Sequence, residues 1–228
     1  MSTRAIISLA TKNSRYVDAI ARLSDSLRNN ADGIDFLGFI HERSVDAPLH
    51  NEVPYGFKIY AIAKAMELEY TEVLRLDASV FAVAPVNSIF DIISEQGYFF
   101  EGNGCFLGEW CNDKTLEYYE IDRDTAMSIP MVQGGFLGFN LASDIGKKLF
   151  YQLNEAYDEG LFEGMWDNVD ISCSADERVR GHRHDQSCMS AIIHNLGVEF
   201  SHVSERIQYA GLYDQIQSDK VIFKCQGL

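Results

Sequence analysis

An aspartate and a serine two residues apart interrupt an apolar stretch of the chain, and both side chains offer oxygen ligands. Asp77 and Ser79 lie in residues 73–83, which read VLRLDASVFAV. The valine and leucines before Asp77 are typical of a strand buried on both faces, where a carboxylate is costly to place. We therefore expect the strand to end here and to present the carboxylate at the rim of a sheet. A turn aspartate after a strand explains these residues equally well.

A basic segment in the second half of the chain is the other set of side chains with evident chemistry. The net charge is −15, yet residues 177–184 read ERVRGHRH and hold three arginines and two histidines. Such a segment either pairs with local carboxylates or forms a compact site for an anion such as a diphosphate. Asp185 and Gln186 follow at a predicted helix start, whose backbone N–H groups also favour anions. Asp185 is equally a preferred helix-capping residue.

The elements that position these residues follow from hydrophobic periodicity. Strand and helix patterns alternate over the first hundred residues: strand 5–11, helix 15–29, strand 34–40, helix 54–66, strand 73–76, helix 88–96 and strand 98–100. This order predicts an α/β fold with a parallel sheet between helices. The first strand leads into Thr11-Lys12-Asn13. Asp77 ends the third strand, at the sheet edge where ligands collect in such folds.

The second half of the chain has a less regular pattern. The predicted elements are a loop at 102–113, a strand at 133–141, a helix at 143–157, a loop at 158–183, a helix at 185–197 and a last strand at 198–203. Ser143 is the expected cap of its helix. The predicted strand at 133–141 contains Gly134 and Gly135.

Composition limits the class of protein. A length of 228 residues suits one domain, and 46% apolar and 23% charged residues are typical of a soluble protein. No stretch is long enough to span a bilayer. None of the five cysteines stands in a Cys-x-x-Cys pair, which favours free thiols in a reducing compartment. We expect a soluble, cytoplasmic protein, and its acidity makes nucleic acid an unfavourable partner.

Three segments, in this order, resemble those of the GT-A type nucleotide-sugar glycosyltransferases. VLRLDASVFAV is similar to the family's Asp-x-Asp segment, with Ser79 in place of the second aspartate. PMVQGGFLGFNL is similar to its glycine-bearing strand beside the sugar and acceptor pocket, and GHRHDQSCMSAII resembles its segment in which Asp-Gln begins a helix. The resemblance implies a single GT-A-like, Rossmann-like domain with a mixed, mainly parallel sheet. Residues 1–103 would form the nucleotide-binding half, and 104–228 the sugar and acceptor half.

The resemblance implies transfer of a sugar from a UDP- or GDP-sugar to a glycan or another hydroxyl acceptor. In such a reaction negative charge grows on the leaving diphosphate, and a divalent cation or basic residues must stabilise it. Mn²⁺ or Mg²⁺ is the implied cofactor, and Asp77 is a suitable hard oxygen ligand. Ser79 lies on the same side of an extended strand and is a weaker ligand. His202 is the further metal ligand that the resemblance implies.

The remaining site residues are also implied by the resemblance. Asp185 and Glu109 are the candidate catalytic carboxylates, with Asp185 preferred. Trp110 and Trp166 are candidates for stacking on sugar faces, with packing as the alternative. Donor binding is assigned to Thr11, Arg15, Lys58, Asp77, Ser79, Gly134, Gly135, His182, His184 and Gln186.

Two other functions stay open at this point. A metal-dependent hydrolase would use His182, His184 and Asp185, because two histidines two apart on a strand face one way. The residues after His184 do not continue as the common His-x-His-x-Asp-His pattern does. A non-catalytic module that binds nucleotide-sugar without turnover is the second alternative, since Ser79 replaces a carboxylate.

Overall fold

The computed structural model describes residues 3–11, 14–210 and 218–226 of the chain. These residues contain ten strands and seven α-helices. The strands are β1 (Arg4–Ala10), β2 (Asp35–Ile40), β3 (Glu72–Leu76), β4 (Val80–Ala82), β5 (Tyr98–Phe99), β6 (Gly102–Phe106), β7 (Pro130–Val132), β8 (Phe136–Asn140), β9 (Ile207–Ala210) and β10 (Phe223–Gln226). The helices are α1 (Ser14–Leu27), α2 (Phe57–Glu67), α3 (Asn87–Gln96), α4 (Asp113–Tyr118), α5 (Arg123–Ala126), α6 (Asp144–Asp158) and α7 (Asp185–Asn195). Lys12 and Asn13 of the predicted first loop lie outside the described residues.

The central sheet has five strands in the order β2-β1-β3-β8-β5. β1 pairs in parallel with β2 and β3, whereas β8 is antiparallel to both β3 and β5. Four strands therefore run in one direction and β8 runs against them. The predicted α/β fold with a mixed, mainly parallel sheet flanked by helices is confirmed. The insertion of β8 beside β3 also brings a strand from the second half of the chain to the centre.

Strand β3 is buried on both faces, as its apolar sequence predicts. Val73 packs into the cluster that includes α2, α6 and α7, and the next residue, Leu74, packs into the cluster that includes α1 and α3. This alternation is the geometry of a strand between two helical layers. Asp77 follows the last residue of β3, so its carboxylate reaches the edge of the sheet.

Two smaller sheets lie beside the central one. β4, β10 and β9 form a three-stranded sheet, and β6 pairs with β7. The prediction of a loop over 102–113 is wrong in part, because β6 occupies its first five residues. The predicted strand at 198–203 is also wrong: the described residues there form isolated bridges from Ser201 and Val203 to the segment of β6. β9 and β10 were not predicted, because their pairing depends on segments distant in sequence.

Helix boundaries agree with the sequence where a cap is present. Ser143 Oγ accepts a hydrogen bond from the Gly146 N–H at 3.1 Å, as the predicted cap of α6. Gly97 ends α3 with φ +88°, a conformation that glycine adopts without strain. The helix predicted from Pro54 begins instead at Phe57, after a turn.

No helix of the described residues has the length and apolar character needed to cross a membrane.

Candidate active site

Three cavities lie side by side at the edge where β3 ends. Their volumes are about 130 Å³ for the central one, about 340 Å³ for the second and about 540 Å³ for the third. The central and second cavities share Tyr55 and Asp77. The central and third share Asn103, Gln133 and Tyr209. The small central cavity therefore lies between two larger ones.

The central cavity has the most polar lining, and the sequence assigned most of its residues to the site. Beyond the shared residues it is lined by Lys58, Gly134, Gly135, Trp166, Arg183, Asp185 and Gln186. The second cavity is further lined by Leu9, Thr11, Tyr16, His50, Phe57, Arg75, Ala78 and Ser79. The third is further lined by Gly102, Val203, Ser204, Glu205, Ile207, Gln208, Ser218, Lys220 and Val221.

Gly134 and Gly135 lie at the site because β8 runs antiparallel to β3. The register pairs Leu76 with Phe136, so the two glycines arrive directly opposite Asp77, whose N–H donates to the Gly135 carbonyl at 3.0 Å. A Cβ on Gly135 would lie 2.9 Å from Asp77 Oδ2, and one on Gly134 would lie 3.0 Å from Gln186 Cβ. A side chain on either glycine would therefore force Asp77 or Gln186 to shift.

Four charged side chains form a network around the Gly134 carbonyl, and we call Lys58, Arg75, Asp77 and Asp185 the charge network. All but Asp77, which is 40% exposed, are buried. Lys58 Nζ lies 2.6 Å from Asp185 Oδ2, and Arg75 Nη2 lies 2.5 Å from Asp77 Oδ1. Lys58 and Arg75 also donate to the Gly134 carbonyl, at 2.8 and 3.0 Å. Both cationic side chains are only 2% exposed. Charges so deeply buried persist only when they are paired and hydrogen-bonded.

The network sets the ionisation of its members. Burial opposes the charge on Asp77, but Arg75 and Lys58 outweigh it and hold the pKa of Asp77 below its ordinary value. Burial lowers the pKa of Lys58, and Arg75 lowers it further, while Asp185 acts in the opposite direction. The arrangement is two cations and two carboxylates, which balance one another.

Asp185 reaches the network from the first turn of α7. His184 precedes the helix with φ +50° and gives it no side-chain cap. The hydrogen bond found for the Asp185 carboxylate is from Lys58 Nζ, so it serves the network and not the helix terminus. Its side chain is 3% exposed and lines the central cavity.

Arg183 is a cavity residue that the sequence-based assignment did not include. Its guanidinium carbon lies 3.7 Å from the ring centre of Trp110 and 3.8 Å from that of Trp166. Its Nη1 donates to the Trp166 carbonyl oxygen. No carboxylate of the described residues forms an ion pair with it. We call the two rings the aromatic clamp; they hold a cation without neutralising it.

His182 and His184, both assigned to donor binding, are buried on either side of Arg183. His182 Nδ1 accepts from the Asn112 N–H at 3.3 Å, which leaves Nε2 to donate to the Leu161 carbonyl at 2.9 Å. His184 Nδ1 lies 2.8 Å from the Phe162 carbonyl. Burial lowers the pKa of His182 to about 3 and lowers that of His184. Neither histidine lines the three cavities. Their hydrogen bonds to the Leu161 and Phe162 carbonyls attach the basic segment to the residues that follow α6.

The other predicted donor residues are divided between the cavities and the surface. Thr11 and Ser79 line the second cavity, and Gln186 lines the central one. Arg15 is exposed in the first turn of α1. The Ser79 hydroxyl lies 3.4 Å from Cys225 Sγ.

Glu109 and His202 lie apart from the central cavity. Glu109 pairs with Arg180 at 3.1 Å and lines a separate surface pocket. The His202 ring packs against the Phe106 ring with centres 5.1 Å apart, and its Nε2 is buried without a hydrogen-bond partner in the described structure. Of the two predicted catalytic carboxylates, Asp185 alone lines the central cavity.

The residues predicted to hold a divalent cation do not fit that role. Asp77 Oδ1 is already paired with Arg75, and His202 is not part of the cavity lining. Across residues 3–11, 14–210 and 218–226, no group of three or more His, Cys, Asp or Glu side chains is arranged to hold a metal ion. A cation at Asp77 would also lie close to two buried positive charges.

Comparison with known proteins supports the fold. The chain is similar to mouse xyloside xylosyltransferase 1 in its apo form, with a TM-score of 0.53, 12% identity and 97% of each chain covered. It also aligns with the apo structure of WbbM, a bifunctional glycosyltransferase, with a TM-score of 0.49 and 12% identity over 92% of this chain and 40% of WbbM. No protein-family model matches the sequence, and no curated protein matches it. The chain therefore has a glycosyltransferase fold.

Proposed function

We propose that this chain transfers a sugar from a nucleotide-diphosphate sugar to a hydroxyl group of an acceptor. The observation that carries the proposal is the row of three cavities at the end of β3, with the charge network in the middle, on a glycosyltransferase fold. In α/β folds ligands bind outside the carboxyl ends of the strands. The site lies at that position.

Each cavity suits one part of such a reaction. The second cavity, whose lining includes Tyr16 and Phe57, suits the nucleoside of a UDP- or GDP-sugar, and its lining lies wholly within residues 1–103. The small central cavity suits the diphosphate and the sugar. The third, the largest and lined mostly from residues 104–228, suits a glycan or another hydroxyl-bearing acceptor.

The chemistry requires a stabilised leaving group and oriented hydroxyls. The bond from the anomeric carbon to the β-phosphate oxygen breaks, and its electron pair leaves with the diphosphate. A bond from the acceptor oxygen to that carbon forms, and the acceptor's proton passes to the departing diphosphate. Charge grows on the departing diphosphate, where cationic side chains in a water-poor cavity are most effective. Asp185, fixed by Lys58, is placed to accept hydrogen bonds from sugar or acceptor hydroxyls and to orient them.

The hydrolase alternative finds no support in the site. Both ring nitrogens of His182 and Nδ1 of His184 are engaged with backbone groups, and neither ring is in the cavity lining. Of the three candidate metal ligands, Asp185 alone lines the central cavity, and its carboxylate is bound by Lys58. A module that binds donor without turnover remains a distinct outcome of the experiment.

Release of nucleoside diphosphate tests the proposal. Purified protein is incubated with UDP- and GDP-sugars, with and without a mixture of glycan acceptors, and the released UDP or GDP is measured. We expect release with at least one donor and a fall of about 100-fold for Asp185→Asn, because oriented reactants contribute at least that much.

Glu109→Gln is the matched control, since Glu109 pairs with Arg180 outside the cavities. It should leave the rate within about twofold. Thermal unfolding of each variant separates loss of activity from loss of fold. Donor binding without release would replace the transferase with a binding module, and the absence of any donor binding would exclude both.

A further inference from the structure

Taken together, the charged residues of the central cavity and Arg75 of the adjoining second cavity carry one positive charge more than their carboxylates neutralise. Lys58 pairs with Asp185, and Arg75 pairs with Asp77, so the charge network sums to zero. Arg183 lines the central cavity and forms no ion pair with any described residue. A cation without a carboxylate partner in a polar cavity is complementary to an anionic ligand.

The surroundings of Arg183 hold its guanidinium in place without an ion pair to a described carboxylate. Its side chain is stacked between Trp110 and Trp166, at 3.7 and 3.8 Å from the ring centres. Its backbone N–H donates to the Trp110 carbonyl at 3.1 Å, which ties the residue to the same clamp. A planar guanidinium fixed in this way suits bidentate recognition of phosphate oxygens and loses little side-chain entropy on binding.

Asp77, the residue expected to recruit a metal to the diphosphate, is poorly suited to it here. Its Oδ1 is bound by Arg75, and Arg75 and Lys58 together stabilise its charge. No described His, Cys, Asp or Glu cluster supplies further ligands. Arg183 therefore supplies one positive charge that can face a diphosphate in this cavity.

We infer that Arg183, held by the aromatic clamp, binds the diphosphate of the nucleotide donor and that this binding needs no divalent cation. The inference rests on the proposed function, since it assigns the diphosphate of that donor. Arg183 takes the place of the metal as the positive charge that faces the leaving group. Arg75 and Lys58 neutralise Asp77 and Asp185, so these carboxylates do not repel the diphosphate.

Calorimetric titration of UDP and GDP into the full chain tests this inference, in Mg²⁺ and again in EDTA after metal removal. We expect a dissociation constant that changes by less than about threefold between the two conditions. Arg183→Gln should weaken binding by about 10- to 100-fold, as expected for a charge-assisted bidentate contact. Uridine and guanosine, which lack phosphate, should bind the variant and the wild type equally.

Two further variants sharpen the result. Arg178→Gln is the matched control, because Arg178 belongs to the same basic segment but pairs with Asp124 and Asp176 at the surface; it should bind as the wild type does. Asp77→Asn keeps a hydrogen-bond acceptor for Arg75 and removes a carboxylate beside the anion. It should bind UDP or GDP as tightly as the wild type or more tightly, whereas a metal-held diphosphate would lose affinity.

The possible failures can be told apart. Binding that is lost in EDTA and in Asp77→Asn overturns the inference and leaves the proposed function standing. An Arg183→Gln variant that binds like the wild type overturns the role of Arg183. No binding of UDP or GDP in either condition overturns the inference together with the proposed function.

Discussion

Positive charge is held in two different ways around the central cavity. Lys58 and Arg75 are buried, and each is paired with a carboxylate in the charge network. Arg183 is partly exposed and stacked between two tryptophan rings, with no carboxylate partner among the described residues. Buried charges must be neutralised for the chain to fold, whereas a cation held by rings keeps its charge available. A positive residue alone therefore does not indicate a ligand site. A cation paired with a carboxylate supports the fold, and a cation without such a partner is available to a ligand.

The largest expected effect comes from breaking a pair in the charge network. Lys58→Met leaves the Asp185 carboxylate buried without its cation and should lower the free energy of unfolding by about 3–5 kcal/mol. Urea unfolding followed by circular dichroism measures this. Lys64→Met on the same helix is the control, because Lys64 pairs with Glu67 at the surface, and its unfolding midpoint should not move. Equal midpoints for the two variants would show that the network contributes nothing to folding.

A smaller effect concerns the segment that holds Arg183. The pKa of His182 is about 3 in the fold, against an ordinary value of 6.5, because burial disfavours the charged ring. As pH falls below 6.5 the unfolded chain takes up the proton first. Stability is therefore complete above pH 6.5 and declines between pH 6.5 and 3. From pH 7 to 5 this single group should remove about 2 kcal/mol.

Urea unfolding of wild type and His182→Asn at the two pH values tests that decline. The variant lacks the titrating ring, so its own loss of stability between pH 7 and 5 should be smaller by the same amount. An identical pH dependence in the two proteins would show that His182 does not carry the effect.

The sequence predicts the framework of the site because local patterns specify it. The apolar run before Asp77 requires a strand buried on both faces, and β3 is one. Gly134 and Gly135 were assigned by resemblance, but the reason for their position is the antiparallel register of β8 against β3. That register joins residues about sixty apart in sequence, and no local pattern encodes it.

The basic segment contains a signal that could have identified Arg183 from the sequence. His182 and His184 were assigned to donor binding and Arg183 was not. Side chains alternate along an extended segment, so His182 and Arg183 would face opposite sides; the chain turns at His184, where φ is +50°. The histidines face the loop at 158–183 and the arginine faces the cavity. Which side is buried depends on that loop, whose sequence has no periodicity to predict its path.

A variant that lacks one ring of the aromatic clamp should weaken nucleotide binding more than it lowers folding stability. Trp166 is 47% exposed, so its packing contributes less to folding than a core residue does. Trp166→Ala should weaken UDP or GDP binding by about three- to tenfold, because stacking on a tryptophan face contributes about 1 kcal/mol to holding a cation. Titration calorimetry in EDTA measures it. Binding equal to the wild type would show that Trp110 and the backbone suffice to hold Arg183.

The smallest expected effect on the free energy of unfolding is that of Arg183→Gln, which contrasts with Lys58→Met. Arg183→Gln removes a cation from the same cavity, but it leaves no carboxylate unpaired, and glutamine retains a donor for the Trp166 carbonyl. The free energy of unfolding should therefore fall by less than about 1 kcal/mol, measured in urea beside Lys58→Met. A loss as large as that of Lys58→Met would mean that the clamp and its arginine serve the fold. A small loss together with weakened nucleotide binding would mean that the fold maintains an unpaired charge for its ligand.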